Sequence, residues 1–199
     1  MLNLEVRSFK KEIFRKIIHF LGVGYIPLYI LIGRFYLIIF ISIALLLFLA
    51  LEILRKRDSR FFPSFLLRDY EREKIGAHIY FGISALIITI FLPMDACFIG
   101  IVASSIGDGV SGIIKRMKLN KFKALPTISM FLSSTVVFLF MYLIILKYYI
   151  KVAEFAMFLS FLISSLVERQ SKILGKYIDD NITVPISASF SYFFLNYLL

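Results

Sequence analysis

Tryptophan is absent from the 199-residue chain, cysteine occurs once and proline five times. The lone cysteine, Cys97, excludes an intrachain disulfide and a multi-thiolate zinc site. Lying in an apolar stretch, it reads as a small core residue. Charge is scarce as well: 18% of residues are Asp, Glu, Lys or Arg, against about 25% in an average soluble domain. There is no Gly-rich Walker loop, which excludes the phosphate cradle of soluble nucleotide enzymes. The N-terminal stretch is basic and amphipathic but has no small-residue cleavage site, so no cleaved signal peptide is expected.

Apolar residues fill the space these absences leave. Hydrophobic residues make up 60% of the chain and aromatic ones 17%, with 22 Phe and 11 Tyr, and the mean hydropathy is +0.87. A soluble fold of this length cannot bury that much apolar surface, because its surface-to-volume ratio is too high. The expected fold is an all-α integral membrane protein. Hydropathy divides it into seven spans, approximately 17–33, 35–54, 76–94, 96–114, 126–146, 152–167 and 182–199, each near the roughly 20 residues needed to cross the hydrocarbon. Only Gly33 and Arg34 separate the first two. No linker, repeat or appended domain interrupts residues 1–199, so one polytopic membrane domain is expected.

The net charge is +10, from 23 Lys and Arg against 13 Asp and Glu. Across the eight connections from N-tail to C-terminus the basic residues number 5, 1, 7, 0, 5, 2, 3 and 0. Alternate connections therefore hold 20 of the 23, which the positive-inside rule reads as a cytoplasmic N-terminus and an outer C-terminus. This accounts for the basic excess without nucleic acid.

Polar groups at the mouth of a membrane bundle need a reason. Four clusters fall on the expected cytoplasmic side. In Glu12-Ile-Phe-Arg15-Lys16-Ile-Ile-His19 the four polar residues share one helical face. The loop Arg68-Asp69-Tyr70-Glu71-Arg72-Glu73-Lys74 has the alternating charge of a solvated helix face. The third cluster is Ser104-Ser105-Ile106-Gly107-Asp108-Gly109-Val110-Ser111-Gly112, followed by Lys115-Arg116. Asp108 lies seven residues inside the basic boundary, about 10 Å at the helical rise, and shares a face with Ser111, Gly112 and Lys115. Small residues there allow close helix packing, but an aspartate at that depth suits a Mg²⁺–phosphate site. The fourth is Glu168-Arg169, then Tyr177-Ile178-Asp179-Asp180-Asn181, whose acidic pair reads either as helix caps or as oxygen ligands. Asp95, Glu154, Lys147 and Lys151 fall on the outer side as ordinary interfacial residues, and His78 fits either role. An ion pore would carry polar groups through its whole depth. Carboxylates, cations and glycines gathered at one face point instead to phosphoryl or nucleotidyl chemistry on a lipid.

These residues resemble the dolichol kinase and phytol kinase family of membrane enzymes, which phosphorylate isoprenoid alcohols, typically with CTP. The resemblance runs through Glu12, Arg15-Lys16, His19, Glu52, Leu67-Arg68 with Glu71, Gly107-Asp108, and Glu168 to Asp179-Asp180-Asn181 with Val184-Pro185. It implies a CTP co-substrate, Mg²⁺ and a membrane-embedded lipid alcohol; no obligate protein partner is identifiable from the sequence. Asp108, His19, Asp179 and Asp180 would be catalytic, with Asp108, Asp179, Asp180 and Asn181 around the metal. Arg15, Lys16, Ser111, Lys115, Arg116 and Lys123 would face the triphosphate, with Glu12, Glu71 and Glu168 as further polar site residues. His19 or a carboxylate would accept the hydroxyl proton. In the family's nucleotide stretch, Ser111 takes an alanine position, Lys115 a glycine position, and Lys123-Ala124-Leu125-Pro126-Thr127 lacks the usual glutamate and glycine. Gly107-Asp108-x-x-Ser111-x-x-x-Lys115-Arg116 is also similar to the signature of CDP-diacylglycerol and CDP-archaeol synthases. Cytidylyl transfer, a CTP-dependent diacylglycerol kinase and a non-catalytic lipid-binding relative are the alternatives.

Overall fold

The computed structural model describes residues 16–17, 19–57, 75–117, 122–170, 172–173 and 176–198. They form α1 (Leu21–Arg57), α2 (Ala77–Phe91), α3 (Met94–Arg116), α4 (Leu125–Ile144), α5 (Glu154–Arg169) and α6 (Asp180–Leu198). A two-stranded antiparallel ladder of β1 (Lys172–Ile173) and β2 (Lys176–Tyr177) joins α5 to α6. Among the described residues the architecture is otherwise helical, as expected. Helices α1, α3 and α4 are long and apolar enough to cross a membrane, and α2 is a shorter apolar helix. Large hydrophobic residues such as Leu31, Phe35, Leu46, Phe140 and Leu143 stand exposed on the outer faces, a surface suited to hydrocarbon.

Helix α1 opens with a 3₁₀ turn, Leu21–Gly24, and is broken at Gly33, where φ is 74° and ψ 171°. Contacts with α2 give the direction of each half. Before Gly33, the His19 ring meets Phe81 at 5.9 Å between centroids, and Tyr25 donates to Thr89 at 2.7 Å. After it, Arg34 donates to the Ile90 carbonyl, Phe48 meets His78 at 5.2 Å, and the Gly76 amide donates to Glu52 at 3.2 Å. The first half thus runs parallel to α2 and the second antiparallel. The chain reverses at Gly33, where hydropathy places the division between the first two spans. That backbone region is open essentially to glycine alone. Gly33→Ala should therefore cost about 1–3 kcal/mol, read as a lowered melting temperature in detergent. Gly24→Ala, with nothing within 4 Å of an added Cβ, should leave it nearly unchanged.

Proline sets several boundaries. Pro93 forces Leu92 into extended backbone (φ −116°, ψ 158°), ending α2 and starting α3. Pro126 sits in the first turn of α4, where its missing N–H costs nothing. Pro185 lies inside α6 and cannot donate to the carbonyl of Asn181. Ser84 of α2 donates to that carbonyl instead, at 2.9 Å.

The core is built around α3. Of its most apolar window 72% is buried, against 22% for α1 and 28% for α4, so α3 is the central helix. Small residues make room for its neighbours. A Cβ on Gly100 would lie 2.6 Å from the Pro185 carbonyl of α6, and one on Gly107 would lie 3.0 Å from Met130 of α4. Phe98 packs edge-on against Tyr25 and Tyr29, and Phe138 of α4 against Phe161 of α5.

The two ends of the bundle differ in chemistry. One end carries Arg34, Asp95 and Tyr192, whose hydroxyl donates to Asp95 and accepts from the Ala153 amide, each at 3.3 Å. The other gathers Lys16, His19, Glu52, Asp108, Glu168 and Asn181, through the contacts described next.

Candidate active site

The middle of α3, Ala103–Asp108, is a π-helical turn, a wide winding found frequently at functional sites. It ends on Asp108, which is buried at 4% exposure. Lys16 donates from Nζ to Asp108 Oδ2 at 3.0 Å and to the Asp108 carbonyl at 3.2 Å. His19 Nε2 lies 3.3 Å from the same Oδ2 and 2.8 Å from the carbonyl of Ser104. A carbonyl can only accept, so Nε2 carries the proton, and in the neutral ring Nδ1 keeps its lone pair.

The glycines around Asp108 explain how the first helix comes so close. A Cβ on Gly112 would press into the Lys16 side chain, with Nζ at 2.6 Å, and one on Gly109 would strike the Phe20 ring. Close approach was the expected use of these glycines, and what approaches is the chain's own Lys16 and Phe20.

On the neighbouring stripe of α3, Ser111 donates to Glu168 Oε1 at 3.1 Å, and Lys115 pairs with the same oxygen. Ser111 is fully buried. Its hydroxyl, expected among the phosphate contacts, here holds a carboxylate. Glu168 is 3% exposed, and its Oε2 has no hydrogen-bond partner among the described residues. One oxygen each from Asp108, Glu168 and Asp180 lie within 4.8 Å of one another. Lys16 pairs with Asp108 and Lys115 with Glu168. Hard oxygen donors, and a buried carboxylate oxygen with no hydrogen-bond partner among the described residues, fit a divalent cation such as Mg²⁺.

The acidic pair at the start of α6 divides between the two roles its sequence left open. Asp179 caps the helix, accepting from the Asn181 amide at 3.0 Å and from Asn181 Nδ2 at 2.6 Å. Asp180 joins the carboxylate group. Asn181 is buried, and its Nδ2 also reaches Asp180 at 3.3 Å. Lys123 is exposed in the turn before α4, and Arg116 is exposed at the end of α3. Neither lines the cavity described below. Glu12, Arg15 and Glu71 lie outside the described residues.

The polar cluster is one end of a cavity of about 540 Å³. Lys16, His19, Asp108, Asp179, Asp180 and Asn181 line its polar end, while both halves of α1 and one face of α2 form its apolar walls. His78 lines it too, a residue that sequence reading did not assign. Nearby, the buried pair Glu52–Arg55 is tied to the start of α2 through the Gly76 amide. The prominence of Glu168 carried no separate signal beyond its position at the end of a span, because its partners Ser111 and Lys115 are 57 and 53 residues away. Compared with models of protein families, with curated proteins and with solved structures, the chain matches none.

Proposed function

We propose that this chain is a multi-pass membrane enzyme that transfers the γ-phosphoryl group of CTP to an isoprenoid alcohol such as phytol, geranylgeraniol or dolichol. The observation carrying this reading is the junction of buried carboxylates and cations with the end of an apolar cavity. A hydroxyl headgroup and a greasy tail are the two halves of a ligand for such a site. In the proposed topology seven helical segments cross the bilayer, counting the two halves of α1 separately. The Lys- and Arg-rich connections, and the site with them, face the cytoplasm where the nucleotide is found.

In this mechanism the alcohol oxygen attacks the γ-phosphorus, the bond from that phosphorus to the β–γ bridging oxygen breaks, and CDP leaves. The hydroxyl proton passes to His19 Nδ1, while Nε2–H stays anchored on Ser104 and Asp108. Lys16 and Lys115 offset charge on the phosphates, the main electrostatic task in such a transfer, with Arg116 and Lys123 at the outer rim. Asp108, Glu168 and Asp180 would hold Mg²⁺, which supplies further neutralisation of phosphate charge. His19→Ala should lower turnover by about 10²–10⁴-fold without a comparable loss of melting temperature, since the ring is partly exposed.

The test is purified protein in detergent with geranylgeraniol or phytol, [γ-³²P]CTP and Mg²⁺. Label in an organic-soluble product supports the kinase. The motif from Gly107 to Arg116 favours cytidylyl transfer as the second reading. Label from [α-³²P]CTP in a lipid made from phosphatidic or archaetidic acid, with none from the γ-position, would establish that activity instead.

A further inference from the structure

We infer that the cavity accepts the tail of one single-chain membrane lipid of about fifteen to twenty carbons, on the scale set by a cavity of about 150 Å³ that holds one benzene ring. The proposed kinase reading supplies the hydroxyl headgroup; the chain capacity rests on the cavity alone. Its volume is about 540 Å³, roughly three to four times that of a cavity that holds one six-carbon benzene ring. A glyceride or archaeol headgroup with two long tails needs about twice that.

The walls agree with the volume. Along the second half of α1 the lining runs from Phe48, beside His78 near the polar end, to Leu37, eleven residues earlier. That is about 16 Å at the helical rise. Leu37 is 1% exposed and Tyr25 8%, so the end away from the polar cluster is lined by buried side chains. Ala44, Gly82 and Ala85 leave the middle wide, and a Cβ on Gly82 would already press on Leu45. Phe40 and Phe48 line the cavity yet are 54% and 41% exposed. Theirs is the wall that meets the surrounding hydrocarbon, so the occupant comes from the membrane.

Ala44 is the residue best placed to set the length, because it faces the cavity midway along this wall. The experiment measures both melting temperature and phosphorylation with geraniol, farnesol, geranylgeraniol, a long-chain polyprenol and a diacylglycerol. Farnesol and geranylgeraniol should saturate the wild-type thermal shift at concentrations about tenfold below the others. Ala44→Phe should move the preference to geraniol, and Phe40→Ala, which removes volume from the exposed wall, should relax it toward longer chains. A wild-type response equal across all lengths, or diacylglycerol ranked first, overturns the inference. So does a folded Ala44→Phe protein with an unchanged length profile; if that variant does not fold, Phe40→Ala decides alone. Phosphorylation without length preference sinks this inference and leaves the kinase standing. A clear length optimum in the thermal shift with no phosphorylation does the reverse.

Discussion

Asp108→Asn is expected to reduce phosphoryl transfer by at least about 10²–10³-fold, the loss seen on removing a single neutral hydrogen-bond donor from a preorganised reaction site. Asp108 has four neighbours at once: Lys16 at 3.0 Å, His19 at 3.3 Å, and the carboxylates of Glu168 and Asp180. Neutralising it leaves the histidine without its anionic anchor and the acidic group with two members. The fold should survive this change, because an asparagine oxygen still accepts from Lys16, which also keeps the backbone carbonyl at 3.2 Å. Asp108→Leu is a different experiment. It strips the acceptor from a Lys16 side chain that is only 6% exposed, and an uncompensated buried charge costs about 3–5 kcal/mol. Replacing both partners with apolar residues of similar volume is often close to neutral. The double variant Lys16→Met/Asp108→Leu should therefore recover most of the lost melting temperature and none of the activity. Stability without activity separates the chemical role of the aspartate from its structural one. An Asp108→Asn protein that turns over CTP at the wild-type rate would remove this site from the mechanism.

Glu168→Gln is expected to weaken the response to divalent cations by at least about 10–100-fold, the loss produced even by removing an outer-shell partner of a metal. Its folding cost should be small. Lys115, whose side chain is 46% exposed, can turn to water, and Ser111 retains an amide oxygen to bond. What changes is charge: one of the three gathered carboxylates becomes neutral, and a hard cation loses an anionic oxygen donor. The melting temperature of the wild type should rise with Mg²⁺ or Mn²⁺ as mass action requires. Half-saturation for Glu168→Gln should lie one to two decades higher. The same shift should appear in the Mg²⁺ dependence of turnover. Identical half-saturation in both proteins would move the cation away from this carboxylate.

Much of the site was legible in the sequence for a single reason: charge inside an apolar run has a large cost, so each instance stands out. Asp108 announced itself in this way, and helical spacing put Lys16 and His19 on one face. The same spacing put Ser111 and Lys115 on the face of Asp108, but it did not say that they serve Glu168. A hydroxyl near a lysine reads equally as a phosphate contact. Likewise the pair Asp179-Asp180 showed two carboxylates at a helix start, where one oxygen caps the helix and the other residue joins the acidic group. Which does which depends on the direction α6 takes after the β-ladder. The cavity was not legible at all. Ala44, Gly82, Ala85 and Leu37 are ordinary letters of an apolar helix, and their shared void exists only because α1 folds back on itself beside α2.

Composition and periodicity alone determined that the described chain is helical and apolar, where it is interrupted, and which polar residues are too costly to be incidental. These properties are local, since a residue's hydration cost and its place on a 3.6-residue helix need no knowledge of its neighbours in space. The tertiary structure decided the pairings: Lys16 and His19 with Asp108, Ser111 and Lys115 with Glu168, Ser84 with the carbonyl that Pro185 leaves open. Each joins residues at least 53 positions apart. Such partners are selected by helix direction, by the widened turn at Ala103–Asp108 and by glycines that let side chains of other segments reach α3, and these act only once the helices are packed.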